Sequence, residues 1–211
     1  MIEVQIDDPI PNSFNQDFES QKMMNDLMKE KMFKNDSYIY VEDIRSKELA
    51  GIFVVFDQDQ PQDSIPFYSD RYKSMITSLV ETTKNAKENH PELFTDETKK
   101  MRVRLIIVFR EHRGKGILNH MYNAFENIAE SRGFNTIHMT CGAPETFHLC
   151  KKFGYQTLGE FRYLGLEPEL LQYFKPSDEI KMKFRGEDMR IQYNVKIIQK
   201  QREEQVLDQI E

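Results

Sequence analysis

The residues best placed to do chemistry form one run, Val108-Phe109-Arg110-Glu111-His112-Arg113-Gly114-Lys115-Gly116-Ile117. An apolar, β-branched stretch leads into it and an amphipathic stretch leaves it. That pattern reads as a strand joined directly to a helix. Gly114 and Gly116 let the backbone take positive φ and approach a ligand closely. The first N–H groups of the helix have no intrahelical acceptor, and the helix dipole favours negative charge there. Arg113 and Lys115 add two cations. Such a turn can cradle a phosphate or pyrophosphate. It is neither a Walker loop, since G-x-x-x-x-G-K-[ST] is missing, nor a dinucleotide fingerprint, since Asn119 stands where the third glycine belongs.

The elements that must position this loop follow from periodicity. Tyr38 to Glu42 and Leu49 to Phe56 read as a hairpin around Arg45 to Lys47. Arg71 to Asn89 reads as a helix with Tyr72, Met75, Ile76, Leu79 and Val80 on its apolar face, stopped at His90-Pro91. Met101 to Phe109 is the strongest strand. Gly116 to Ser131 is a helix burying Ile117, Leu118, Met121, Phe125 and Ile128, with Gly133 after its end. Thr136 to Cys141 is a strand and Pro144 to Phe153 a short helix. Gln156 to Tyr163 and Met189 to Ile198 are further strands. Ahead of these, Ile2 to Ile6 suggests a short strand and Phe18 to Phe33 a Met-rich helix. The mixture without a regular βαβ repeat implies an α/β sheet domain. We expect one domain over residues 1–198 and a charged tail over 199–211.

Composition narrows the function. The chain has 211 residues, 39% hydrophobic and 30% charged, with a net charge of −6. An acidic balance argues against nucleic acid as a partner. No apolar stretch approaches the roughly 18 residues of a membrane span, and the first residues lack the basic and apolar regions of a secretory signal. Cys141 and Cys150 are the only cysteines and show no metal-ligand spacing, so we expect no metal and a reducing, cytoplasmic setting.

The segment E-H-R-G-K-G-I-L after an apolar strand resembles the Q/R-x-x-G-x-G/A acyl-CoA motif of the GNAT acetyltransferases, with Glu111 at the first position. Downstream, Thr136 to Cys141 and then Thr146 to Tyr155, ending L-C-K-K-F-G-Y, match the family's strand, helix and aromatic close. The insert carrying Arg71 to Asn89 and Glu92-Leu93-Phe94 is similar to the arylalkylamine and dopamine N-acetyltransferase branch. The resemblance implies a mixed, mainly antiparallel sheet of about six to seven strands, with a splayed central strand pair and helices on both faces. It implies that Ile107, Val108 and Phe109 hold the pantetheine arm of acetyl-CoA. Residues Arg113, Gly114, Lys115, Gly116, Ile117 and Leu118 would take the pyrophosphate. A backbone N–H near Val108 would stabilise the oxyanion as an amine attacks the thioester directly.

Proton carriers are harder to name from residues alone. Cys150 stands where many relatives place a tyrosine acid; its thiol is either that acid or core packing. Relatives also use an N-terminal glutamate and hydroxyls after the second motif strand, for which the counterparts are Glu19 or Asp17 and Thr146; Thr146 is equally suited to capping its helix. His138, in a strand, reads as a hydrogen-bonded structural residue, and His112 as facing solvent or the CoA phosphates. Phe67, Tyr68 and Tyr72 could line an aromatic pocket for the amine. The expected partner is a small amine, with the protein a monomer or homodimer. Two other readings are a protein N-acetyltransferase and a non-catalytic acyl-CoA-binding protein.

Overall fold

The structure is a computed structural model and describes residues 37–57, 70–185 and 189–198. Six strands form one sheet in the order β1-β2-β3-β4-β6-β5. They are β1 Ser37–Glu42, β2 Leu49–Asp57, β3 Lys100–Val108, β4 Thr136–Cys141, β5 Gln156–Arg162 and β6 Arg190–Ile197. Every neighbouring pair is antiparallel except β3 and β4, which are parallel. The helices are α1 Asp70–Asn89, α2 Ile117–Ser131, α3 Pro144–Lys152, α4 Pro168–Leu171 and α5 Asp178–Lys183. No helix among the described residues is long and apolar enough to cross a membrane. The expected N-terminal strand and helix, and the tail over 199–211, lie outside the described residues.

α2 and α3 cover one face. Phe53, Val55, Met101, Val103, Ile137 and Met139 point from the sheet against Met121, Tyr122, Phe125 and Ala129 of α2. Phe53 stacks on Phe125 at 4.8 Å between ring centroids and meets Tyr122 edge-on at 5.6 Å, a geometry that adds to simple burial. The buried stripe is rotated from the expected one. Tyr122 and Ala129 are inside, while Ile117, Leu118 and Ile128 are half-buried. Tyr122 is admitted because its ring lies flat on Phe153 at 4.6 Å, a partner supplied from far along the chain.

α1 packs on the other face, over β5 and β6, and here the expectation is corrected. The buried seam is Ser74, Ser78, Thr82 and Ala86, spaced by one helical turn each, with Met75 beside it. The hydroxyls return to the helix itself: Ser78 donates to the Met75 carbonyl at 2.7 Å and Thr82 to the Ser78 carbonyl at 2.6 Å. Small, internally satisfied side chains let the helix lie almost against the sheet. A Cβ added at Gly159 of β5 would sit 2.5 Å from the Thr82 carbonyl oxygen and 2.8 Å from the Ala86 nitrogen. The apolar stripe read from the sequence is displaced outward as a result; Leu79 is half-buried and Val80 is exposed. α4 and α5 had no counterpart in the sequence reading, being too short to show a period.

Candidate functional site

β3 and β4 pair only over Lys100↔Thr136 to Val103↔Met139. Beyond that point each strand continues with its outer neighbour: β3 through Val108 against β2, β4 through Cys141 against β6. The two therefore part like the arms of a V. The register of β2 and β3 shifts between Val54 and Val55, with Val54 opposite Leu105 and Val55 opposite Val103. Arg104 is thus the extra residue of a β-bulge at the vertex. A bulge bends its strand and sharpens the local twist, which accounts for the parting at this position.

The alternation of a strand decides which backbone groups face the gap. Phe109 donates its N–H to Ala50 of β2 at 3.0 Å, and its carbonyl accepts from His112 at 2.9 Å. The N–H groups of Val108 and Ile106 point the other way, into the V. Of the three residues expected to hold a pantetheine arm, Val108 turns its N–H to the gap, Phe109 has its backbone bonded to Ala50 and His112, and Ile107 points its polar groups toward β2. Ile106 also turns its N–H to the gap, which the sequence does not show because it does not reveal which edge of β3 stays open. The Val108 carbonyl accepts from Arg113 Nε at 3.1 Å, so Arg113 is tied to the same edge.

The open arm of β3 ends at the loop. Gly114 has φ 75° and Gly116 φ 74°. A Cβ at Gly114 would meet nothing within 4 Å, so the glycine serves backbone conformation and access rather than tight packing. Gly116 is the N-cap of α2, and no side chain caps that end. The first turn holds no acidic residue. Its N–H groups, at Ile117 and Leu118, are thus presented at the mouth of the V with the positive end of the dipole behind them. Lys115 lies between the two glycines, with its Nζ turned to His112 Nδ1 at 3.5 Å. Lys152, at the end of α3, reaches Asn119 of the first turn with its Nζ at 2.9 Å and adds a cation that the spacing within the motif did not reveal. Strand, gap, glycines and helix end are chemically suited to an extended amide-containing arm that terminates in a pyrophosphate.

His112 corrects another expectation. It is 5% exposed, so it does not face solvent. Its Nδ1 lies 3.8 Å from Asp43 and its Nε2 3.7 Å from Glu48, both in the β1–β2 turn region. It moors the loop to the hairpin. Backbone N–H groups of Arg45 and Ser46 hold the Asp43 carboxyl below its ordinary value, with His112 a smaller contributor.

The remaining candidates scatter. Cys150 is 1% exposed, and its Sγ meets Cys141 Sγ at 3.4 Å and Met139 Sδ at 3.7 Å. That surrounding is core, so the packing alternative accounts for Cys150 better than proton donation does. Hydrogen bonding to Cys150 and burial push the Cys141 thiol well up. Thr146, in the first turn of α3, donates its hydroxyl to the Ala143 carbonyl at 2.7 Å, a local helix-end bond. His138 is fully buried, with Nε2 2.8 Å from Thr136 Oγ1 and Nδ1 2.9 Å from Tyr193 Oη, as a structural histidine would be. Asp17, Glu19, Phe67 and Tyr68 lie outside the described residues; Tyr72 falls in the first turn of α1. Among the described residues no group of three or more His, Cys, Asp and Glu is placed to hold a metal ion.

The chain matches no family model, and no curated protein matches it by sequence. Solved structures do. A yellow fever mosquito (Aedes aegypti) protein designated arylalkylamine N-acetyltransferase 7 superposes with a TM-score of 0.73 at 14% identity, over 92% of this chain and 78% of the other. The arylalkylamine N-acetyltransferase 2 of the same mosquito gives 0.69 at 16% identity, over 92% and 88%. An agmatine N-acetyltransferase gives 0.64 at 11% identity, over 93% of both chains. The fold is the one these acetyltransferases share. The six-stranded, mainly antiparallel sheet, the parted β3–β4 pair and the helices on both faces agree with the architecture that the resemblance implied.

Proposed function

We propose that this protein is a GNAT-type N-acetyltransferase that moves the acetyl group of acetyl-CoA to the nitrogen of a small amine. The observation that carries the reading is the truncated β3–β4 pairing, opening directly onto the glycine loop and the uncapped end of α2. Five residues, Arg104 to Val108, run from the vertex to the loop, about 16 Å of strand. That is the reach of an extended pantetheine arm, and it would bring the thioester to the vertex. The structural likeness to acetyltransferases of arylalkylamines and agmatine supports the same reading.

In this account Arg113, Gly114, Lys115, Gly116, Ile117, Leu118 and Lys152 hold the pyrophosphate. The gap-facing N–H groups of Val108 and Ile106 hold the arm. The deprotonated amine nitrogen bonds to the thioester carbonyl carbon, the C–S bond breaks with its electron pair on sulfur, and the amine's second proton passes to solvent or to the departing thiolate. Backbone donors of β3 near the vertex stabilise charge on the carbonyl oxygen. Alignment of the two reactants across the gap supplies much of the acceleration. Phe67, Tyr68 and Tyr72 are proposed to meet the acceptor, and Glu19 is the proposed base.

The test is turnover. Purified protein is incubated with acetyl-CoA and arylalkylamines, polyamines, amino acids, or short peptides with free lysine or N-terminus, reading thiol release and product mass together. N-acetylation of a small amine at catalytic rates is expected. Thiol release without an acetylated product, or acetylation confined to peptides, would overturn the assignment.

A further inference from the structure

A groove of about 440 Å³ lies between α1 and β3 on the sheet face opposite α2. This size suits a small molecule. Because α1 docks through its small-residue seam, Leu79 and Val80 are left to form an apolar wall of this groove. Lys84 and Lys87 of α1 and Arg102 of β3 also line it. Arg102 stands in register with His138, one residue before the last β3–β4 pair. Its guanidinium reaches Thr140, the β4 residue that follows the last β3–β4 pair, so the groove borders the vertex, where the reading above brings the thioester.

Its charge is unusual for a seat meant for a cationic amine. Lys84 is offset by Glu81 at 3.7 Å. Lys87 lies over the Phe94 ring at 5.8 Å. Arg102 donates to Thr140 Oγ1 at 3.3 Å and stacks over Tyr193 at 5.5 Å. Among the described residues neither Arg102 nor Lys87 has a carboxylate within ion-pair distance, and Glu88 is the acid in the lining. A half-buried guanidinium without a counter-ion is held by an aromatic face and one hydroxyl. It still has donors in the planar fork that suits a carboxylate.

Resting on the acetyltransfer reading, we propose that the groove is an acceptor subsite for amines that also carry a carboxylate. Arg102 binds the carboxylate while the amine nitrogen faces the vertex. The carboxylate is not altered in the reaction. An amine whose only charge is positive would meet Lys87 and Arg102 with repulsion, whereas an amino acid or an acidic peptide N-terminus places its negative group on them.

The experiment compares matched pairs, tyrosine with tyramine and arginine with agmatine, and adds a short peptide beginning with aspartate. Each compound is titrated by calorimetry into CoA-loaded protein and assayed for acetylation with acetyl-CoA. The amino acid of each pair, or the acidic peptide, should bind at least tenfold more tightly than the plain amine; which of the two prevails identifies the source of the carboxylate. Arg102→Gln should erase the preference, acting on KM rather than kcat where turnover is seen, with acetyl-CoA affinity unchanged. Lys87→Gln, on the exposed side of α1, should narrow it if Arg102→Gln fails to fold. Equal or tighter binding of the plain amines, or a preference untouched by both variants, overturns the subsite. Preference in binding without any acetylation keeps the subsite and removes the transfer reading; acetylation without preference does the reverse.

Discussion

The two faces of the sheet are built by opposite means. On the α2 face, large rings and methionines interlock: Phe53, Tyr122, Phe125 and Met121 are each at most 1% exposed. On the α1 face, serine, threonine, alanine and glycine allow two backbones to touch. The first arrangement draws on apolar area and ring geometry, the second on the absence of side chains. The difference bears on chemistry. Packing by bulk fixes α2 so that its free end always meets the gap in the sheet. Packing by smallness leaves the larger residues of α1 available to shape a groove.

Removing bulk should do the greater harm. Phe125→Ala leaves a hole beneath Phe53 and is expected to cost about 4 kcal/mol, read from urea unfolding. A loss under about 1 kcal/mol would mean that α2 is held by something other than this core. Adding bulk should hurt the opposite face. Gly159→Ala must push Thr82 and Ala86 backbone away, and is expected to cost about 2 kcal/mol. The same substitution at Gly114, where a Cβ meets open space, should cost only about 1 kcal/mol for its positive φ. If Gly159→Ala and Gly114→Ala are equally mild, the close contact between α1 and β5 is wrong.

The comparison also explains what the sequence disclosed. The glycine loop, its strand and α2 were legible because a local motif and a 3.6-residue apolar period describe them. The α1 seam was not, since hydroxyl residues at every fourth position look like a solvated face. The bulge at Arg104 and the early end of β3–β4 pairing depend on long-range register, which no local pattern encodes. His112 was misplaced for the same reason: its partners, Asp43 and Glu48, come from a hairpin more than sixty residues earlier. Cys150 was legible only as a choice between acid and packing, and its neighbours Cys141 and Met139 favour packing.

Smaller effects sharpen the picture. Cys150→Ala should leave the pH–rate profile unchanged, since the thiol packs rather than donates; a shifted acidic or basic limb would restore it to the mechanism. The raised Cys141 thiol should resist an alkylating reagent at neutral pH until the protein is unfolded, and rapid labelling of the native protein would contradict its burial. Asp43 should show the smallest effect. Its folded value is depressed, so its contribution is present above the ordinary value of 3.8 and fades as pH falls through the lower folded value. A carboxyl NMR titration should give a midpoint under 3.8, and one at or above it would remove the hairpin hydrogen bonds from the account.

The central claim is that the open arm of β3 and the end of α2 together receive acetyl-CoA. It is tested most directly by calorimetric titration of acetyl-CoA into the native protein and into the Gly114→Glu/Gly116→Glu double variant, each checked for an intact thermal transition. The account predicts saturable one-to-one binding by the native protein and a loss on the order of a hundredfold or more in the variant, where two carboxylates occupy the phosphate cradle. Equal affinity in a folded variant would place acetyl-CoA elsewhere and contradict it.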